Sequence, residues 1–388
     1  MAKIKFAIRY AVRSPQVWRA ASHAGVGMAV VYAAHAAEND ASKEPNGAAA
    51  SVQSAAPWVR VPKVNGRLTA RDIGLVINTA DPYSVEVGAY YARQRHLSPE
   101  QILKVEMPTR TVLKREEFDA LDEAVRRHFG PQTQALALAW NQPYAVDCNS
   151  ITSALALGID ESVCQQTCAK AAKPSPYFDS ASIRPFTDHR MRLAMLLAAR
   201  NVESAQRMID RGVHADGTLG LRGAPPVSVH FVVTADSARN VRSLLYPAPQ
   251  LARKSGVDVR IDKDGPPEHA QRVLLYEVGL TSVARLDSIQ WVDGALADHL
   301  TSFGGKLERT EGSGQMSAIE WLESGATASY GTVSEPCNQL QKFPHPQLLL
   351  LNYMQGSTAI EAYWKSVAWP QQGVFIGEPL AAPFSRLR

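Results

Sequence analysis

DGALADHLTSFGGKLERTEGSGQMSAIEWLESGATASYGTVSEPCN, residues 293–338, is the stretch whose reading decides the fold. Met316, Ile319 and Leu322 recur at helical spacing, which predicts a helix over 317–324 with Gly325 at its C-terminal cap. Residues 326–331 are small and strand-like, so the stretch reads loop, helix, strand, loop. The first loop carries Asp298, His299, Thr301 and Ser302; the second carries Thr332, Ser334, Glu335, Cys337 and Asn338. When the flanking strands are parallel neighbours, both loops leave the same sheet edge, which is where open α/β sheets bind ligands.

The same alternation runs outward through the chain. GLVINTADP at 74–82 is an apolar run ending in Asn78 and Asp81, and Asp81-Pro82 caps and opens a helix to about Arg95. Further strands are predicted at 102–108, 134–144, 227–236, 272–279 and 288–292. Helices are predicted at 114–129, where Phe118, Leu121 and Val125 share a face, and at 192–210. Alternating strands and helices predict an α/β fold with a mostly parallel sheet and helices on both faces, a three-layer sandwich of caspase-like or flavodoxin-like type. No internal repeat is visible. Residues 145–190, rich in Ser, Cys, Pro and Asp, read as an insertion over the strand edge.

Several strands end alike. Asn78, Asp81, Asn141, Asp236 and Thr332 each follow an apolar run, where such residues cap helices. Together they predict one polar cleft built from Asn78, Asp81, Asp236, Asp298, His299, Ser302, Thr332 and Glu335.

The formal net charge is +4, but Lys3, Lys5, Arg9, Arg13 and Arg19 precede the first acidic residue. Removing those five charges from +4 leaves −1, which offers phosphate backbones no general attraction, so no nucleic-acid partner is expected. The basic start, the modestly apolar run from Ala20 to Ala34 and the small residues that follow read as an export signal over 1–37. Its cleavage is expected between Ala34 and Glu38. Residues 38–67 read as a flexible linker, and 68–388 as a single α/β domain. No stretch of the mature chain is long and apolar enough to span a bilayer as a helix. The expected location is periplasmic or extracellular, and the expected partner is an unknown ligand or envelope protein.

Cys148, Cys164, Cys168 and Cys337 make an even set in a chain that reads as exported, which favours two disulfides. A four-cysteine zinc site and a free, reactive Cys337 are the alternatives. No cofactor or resident metal is expected: SFGGK at 302–306 lacks the Walker spacing, and EAYWKSVAWP at 361–370 reads as core packing.

ITSALALG at 151, DRG at 210, ADHLTSFGG at 297, GATASYGTVSEPCN at 325, KFPHP at 342, EAYWKSVAWP at 361 and GVFIGEPLA at 373 resemble the motifs of an uncharacterised family of exported bacterial proteins. That resemblance implies no known activity. In strand order, and in the step from a Gly-rich turn through a helix to GATASYGT, the chain also resembles the caspase-like fold of gingipain-type cysteine peptidases. Those peptidases place a His and a Cys at the ends of neighbouring parallel strands, so that the imidazole draws the thiol proton. His299 and Cys337 stand in that order here, with Asp298 adjacent. The positions expected from strand order, however, fall near Gly279 and Asp293, which lack the chemistry. A Ser302, His299, Asp298 arrangement has no G-x-S-x-G turn to support it. The leading expectation is a binding or structural module of the cell envelope, and the alternative is a hydrolase or peptidase using His299 and Cys337.

Overall fold

A computed structural model describes residues 57–170, 173–249, 256–308 and 314–386. The expected export signal, its cleavage point and the linker as far as residue 56 lie outside them. Residues 57–67, expected as linker, lie against the domain. The Trp58 indole donates to the Ala248 carbonyl at 2.7 Å, and the Val59 and Val64 amides donate to the side chains of Gln347 and Gln355.

The chain begins with β1 (Ile73–Asn78), α1 (Pro82–Gln94), β2 (Ile102–Val105), the short β3 (Val112–Leu113) and α2 (Arg115–His128). After β4 (Ala135–Leu138) come the short β5 (Ala145–Val146) and β6 (Asn149–Ser150), then α3 (Ile151–Leu157), α4 (Ser162–Gln165) and α5 (Pro185–His189). Next are β7 (Leu193–Leu196), α6 (Val202–Ala215), β8 (Val227–Val232), β9 (Val257–Asp262), β10 (Ala270–Val278) and β11 (Ile289–His299). The chain closes with α7 (Ile319–Ser324), β12 (Ala328–Thr332), α8 (Pro346–Met354), α9 (Ala359–Ser366) and β13 (Gly373–Gly377).

The large sheet has ten strands in the order β2-β1-β4-β7-β13-β12-β11-β10-β8-β9, and β3-β5-β6 form a small sheet in the insertion region. The mostly parallel α/β class is as expected, with one feature the sequence does not display. Strands β2 through β13 are mutually parallel, strands β12 through β9 are mutually parallel, and the β12–β13 pair that joins them is antiparallel. Each half is doubly wound: the second strand of each half lies outside the first, and the later strands build on the other side. A topological duplication thus exists without a sequence repeat.

Apolar burial holds the layers. On one face of the second half, Val232, Tyr276, Ala297, Met316 and Trp321 form a core under α7. Ile319 and Leu322 are buried as their spacing predicts, in the main core rather than in this one, and each contributes about 1.5–3 kcal/mol. Three strands of the large sheet, β7, β9 and β13, escaped the sequence reading. Leu193–Leu196 was expected inside a helix over 192–210, and Gly373–Gly377 was not assigned. Both are buried along their whole length, so they show no alternation to distinguish a strand from an apolar helix.

Candidate functional site

Because the strand direction reverses between β13 and β12, the C-terminal ends of β1, β4 and β7 lie on one sheet edge and those of β8, β10, β11 and β12 on the opposite one. This separates the expected cleft into two sets. Asn78 and Asp81 stand at the first edge; Asp236, Asp298, His299, Ser302, Thr332 and Glu335 belong to the second. The expectation of a single cleft assumed one common strand direction, which does not hold.

At the first edge both residues serve local structure. Buried Asn78 accepts from the Ala80 and Met107 amides and donates to the Met107 carbonyl, tying β1 to the turn after β2. Asp81 caps α1 by accepting from the Tyr83 amide at 3.0 Å, and burial raises its pKa.

At the second edge the expected loop around Asp298 and His299 is the end of a strand. β11 runs eleven residues and absorbs a bulge, with Val273 opposite Trp291 but Leu275 opposite Leu296; Gly294 takes φ +83° within it. The bulge breaks the apolar run, so the sequence reading stopped the strand at 292, and the position expected near Asp293 is interior to it. Successive strand residues face opposite sides of the sheet. Asp298 therefore points to one face and His299 to the other, and the two cannot form a catalytic dyad.

Asp298 pairs across the strands with Glu277, and Arg242 lies over both. All three are buried, and Arg242 donates to Asp298 and to the Val278 carbonyl. One guanidinium faces two carboxyls away from water. Desolvation raises both carboxyl pKa values, opposed by Arg242, and Glu277 is pushed well above the usual carboxylate range. We assign the charge to Asp298, which accepts the direct hydrogen bond from Arg242, and the proton to Glu277.

His299 is 1% exposed. Its Nδ1 accepts from the Trp321 indole at 3.0 Å, which leaves Nε2 to carry the hydrogen and donate to the Met316 carbonyl at 2.9 Å. Burial, assisted by Arg242 and Arg239, lowers its pKa to about 4. Both nitrogens of this neutral ring are committed to the fold, so the ring has no free position for proton transfer.

The turn after β11 is pressed against β12. A Cβ on Gly331 would lie 2.3 Å from the Gly304 carbonyl carbon, and one on Gly305 2.6 Å from the Gly331 oxygen. The Gly305 amide donates to the Thr332 carbonyl, and the buried Thr332 hydroxyl donates to the carbonyls of Ser302 and Thr301. The glycines of SFGG and SYGT are there for this close backbone approach. On the other side, the crevice between β8 and β10 is filled by the chain itself: a Cβ on Gly279 would meet the Arg239 carbonyl oxygen at 2.1 Å. Arg239 bonds Asp236 and the Thr301 hydroxyl, and Thr234 donates to the Gly279 carbonyl. An open hollow of about 410 Å³ remains beside this knot, lined by Ser282, Val283, Leu286, Gly314, Gln315, Met316 and Glu320.

The cysteines form two disulfides, Cys148–Cys164 and Cys168–Cys337, with Cα separations of 5.2 and 5.4 Å. This corrects the two alternatives. Cys337 is not a free nucleophile beside His299, and the four sulfurs are not assembled as a zinc site; no cluster of metal-binding side chains occurs among the described residues. Glu335 accepts from the Cys337 amide at 2.8 Å, shaping the turn that carries the bridge.

One arrangement went unpredicted. Ser228 and His230, two apart on one face of β8, meet Asp262 of β9: Ser228 Oγ lies 3.1 Å from His230 Nε2, and His230 Nδ1 lies 2.9 Å from Asp262. The order is that of a Ser-His-Asp relay. Ser228, however, is 4% exposed in mid-strand and donates to the Gln271 carbonyl at 2.7 Å, so the chain of bonds satisfies buried groups. The S-x-H alternation at 228–230 was the available sequence signal, but its partner strand β9 was not recognised.

No family model matches the chain, and no curated protein matches it, so the motif resemblance to an exported family has no support there. Among solved structures the chain is similar to the Arg-specific cysteine proteinase gingipain R. The TM-score is 0.36 at 11% identity, covering 80% of this chain and 78% of that one. A complex of the Porphyromonas gingivalis RgpB pro- and mature domains is similar to the same degree, with TM-score 0.36, 11% identity and coverage of 82% and 80%. Neither supplies a residue role for this chain.

Proposed function

We propose that this is an exported, disulfide-bonded protein with a binding or structural role in the cell envelope. The single observation that carries the non-catalytic reading is the commitment of the two groups a cysteine peptidase would need. The Cys337 sulfur is bonded to Cys168, and both ring nitrogens of His299 are bonded to Met316 and Trp321. Two disulfides agree with an oxidising compartment. What the polar edge offers a partner is its outer surface: the Asp236–Arg239 pair and the hollow beside Met316.

The test is turnover on broad fluorogenic peptide and ester panels by wild type, His299→Ala and Cys337→Ser, with fractionation of the native host. The reading expects the protein in the envelope fraction and no wild-type turnover that either substitution removes. Hydrolysis abolished by Cys337→Ser in a folded variant would establish the peptidase alternative, and a cytoplasmic product retaining Met1 would defeat export.

A further inference from the structure

The two disulfides sit in different surroundings. Cys148–Cys164 closes a short loop inside the insertion; both residues are half-buried, and the Cys148 amide donates to the Cys164 sulfur at 3.1 Å. Cys168–Cys337 joins positions 169 apart, and Cys168 is exposed. On the other side of this bridge, Cys337 and Asn338 take φ +58° and +54°, two consecutive non-glycine residues in the left-handed region. Such a conformation is unfavourable for a side chain bearing a Cβ and persists where the surroundings impose it.

Side-chain bonds hold the two strands of chain together independently of the sulfurs. Gln339 donates to the Cys168 carbonyl at 2.6 Å, and the Lys342 ammonium donates to the Thr167 carbonyl at 2.6 Å. Breaking the S–S bond therefore leaves the thiols neighbours, and the left-handed pair gains freedom to relax.

We infer that Cys168–Cys337 is a reversible thiol–disulfide exchange site for a dithiol reductant, and that it sets the conformation of the turn after β12. A thiolate of the reductant attacks the accessible Cys168 sulfur. The bridge breaks, Cys337 leaves as thiolate and takes a proton from water, and a mixed disulfide remains. The reductant's second thiolate then attacks its own sulfur in that mixed disulfide and releases Cys168 as thiolate, which also takes a proton from water. The reductant ends as a disulfide, and this chain gains two electrons and two protons. The Lys342 ammonium, fixed one residue from Cys168, favours the departing thiolate in the second step. The turn that opens carries Glu335, and it is tied to the insertion through the bond from the Ser334 hydroxyl to the Cys148 carbonyl.

The test equilibrates the purified full chain with graded ratios of reduced to oxidised dithiothreitol under native conditions, traps thiols by alkylation, and locates them by peptide mass. Cys168 and Cys337 should be trapped together at a ratio about tenfold lower than Cys148 and Cys164, and the bridge should reform when the ratio is reversed. Asn338→Gly, which removes the left-handed cost, should raise the ratio needed to open the bridge, by up to about tenfold. Lys342→Gln should slow the exchange while circular dichroism stays unchanged. Reduction of both bridges at one ratio, earlier reduction of Cys148–Cys164, or trapping of Cys168 and Cys337 only in denaturant would overturn the proposal.

Discussion

His299 shows how a single residue's surroundings decide between chemistry and structure. A His at the end of a strand, beside an Asp and three residues from a Ser, reads as a base; in the fold it bridges an indole to a carbonyl inside a core. His299→Ala leaves both partners unpaired, and at roughly 1–3 kcal/mol for each buried orphan a loss of about 2–6 kcal/mol is expected by thermal or chemical unfolding. Its pKa, lowered to about 4 by burial, makes the same point against pH. The unfolded chain binds the proton more readily, so this contribution is complete above the ordinary His value. It is lost as pH falls toward about 4, by roughly 3 kcal/mol in all. His345, which caps α8 and is likewise lowered to about 4 by burial, adds in the same direction. Glu277 has the opposite sign. Its raised pKa gives stability that is present in acid and lost as pH rises through the raised value, so Glu277→Gln should flatten the alkaline side of the stability profile. A pH–stability curve of wild type, His299→Gln and Glu277→Gln reads all of these together. Unchanged acid sensitivity in His299→Gln would contradict the assignment.

At the scale of elements, the turn 301–305 and β12 meet backbone against backbone. Gly331→Ala places a methyl against the Gly304 backbone, which cannot yield as a side chain would, and should cost about 3 kcal/mol. Gly314→Ala serves as a control: its φ is +65° but its surroundings are open, and about 1 kcal/mol is expected. Denaturant midpoints of the two variants would separate close packing from backbone conformation; equal costs would contradict the packing account. The segment at 57–67 makes a similar claim. A chain that begins at residue 68 lacks the five hydrogen bonds that 57–67 make with Ala248, Gln347 and Gln355, and should be about 5 kcal/mol less stable than one that begins at 57. How far these elements were legible follows from their residues. Met316, Ile319 and Leu322 announced α7 by spacing, and Asp81-Pro82 announced α1. Leu193–Leu196 gave no such signal because it is apolar on both faces, and β11 was cut short because its bulge places Asp293 and Gly294 inside an apolar run.

For the whole molecule, the alternation of strands and helices was readable, but the reversal between β12 and β13 was not. It is created by pairing GATASYGT with GVFIG, segments more than 40 residues apart whose composition carries no mark of direction. That reversal sends Asn78 and Asp81 to one edge and the His299 set to the other. The cysteines show the same limit, since the even count in an exported-type chain favoured two bridges while the pairing depended on where the insertion comes to rest. The central claim is that the second edge is closed by its own bonds, with Cys337 joined to Cys168 and no thiol left for catalysis. Alkylation of the purified, unreduced protein in denaturant, followed by non-reducing peptide mapping, tests it most directly. The account predicts no alkylated cysteine and linked peptides containing Cys168 and Cys337. An alkylated Cys337, or Cys337 linked to another cysteine, would contradict it.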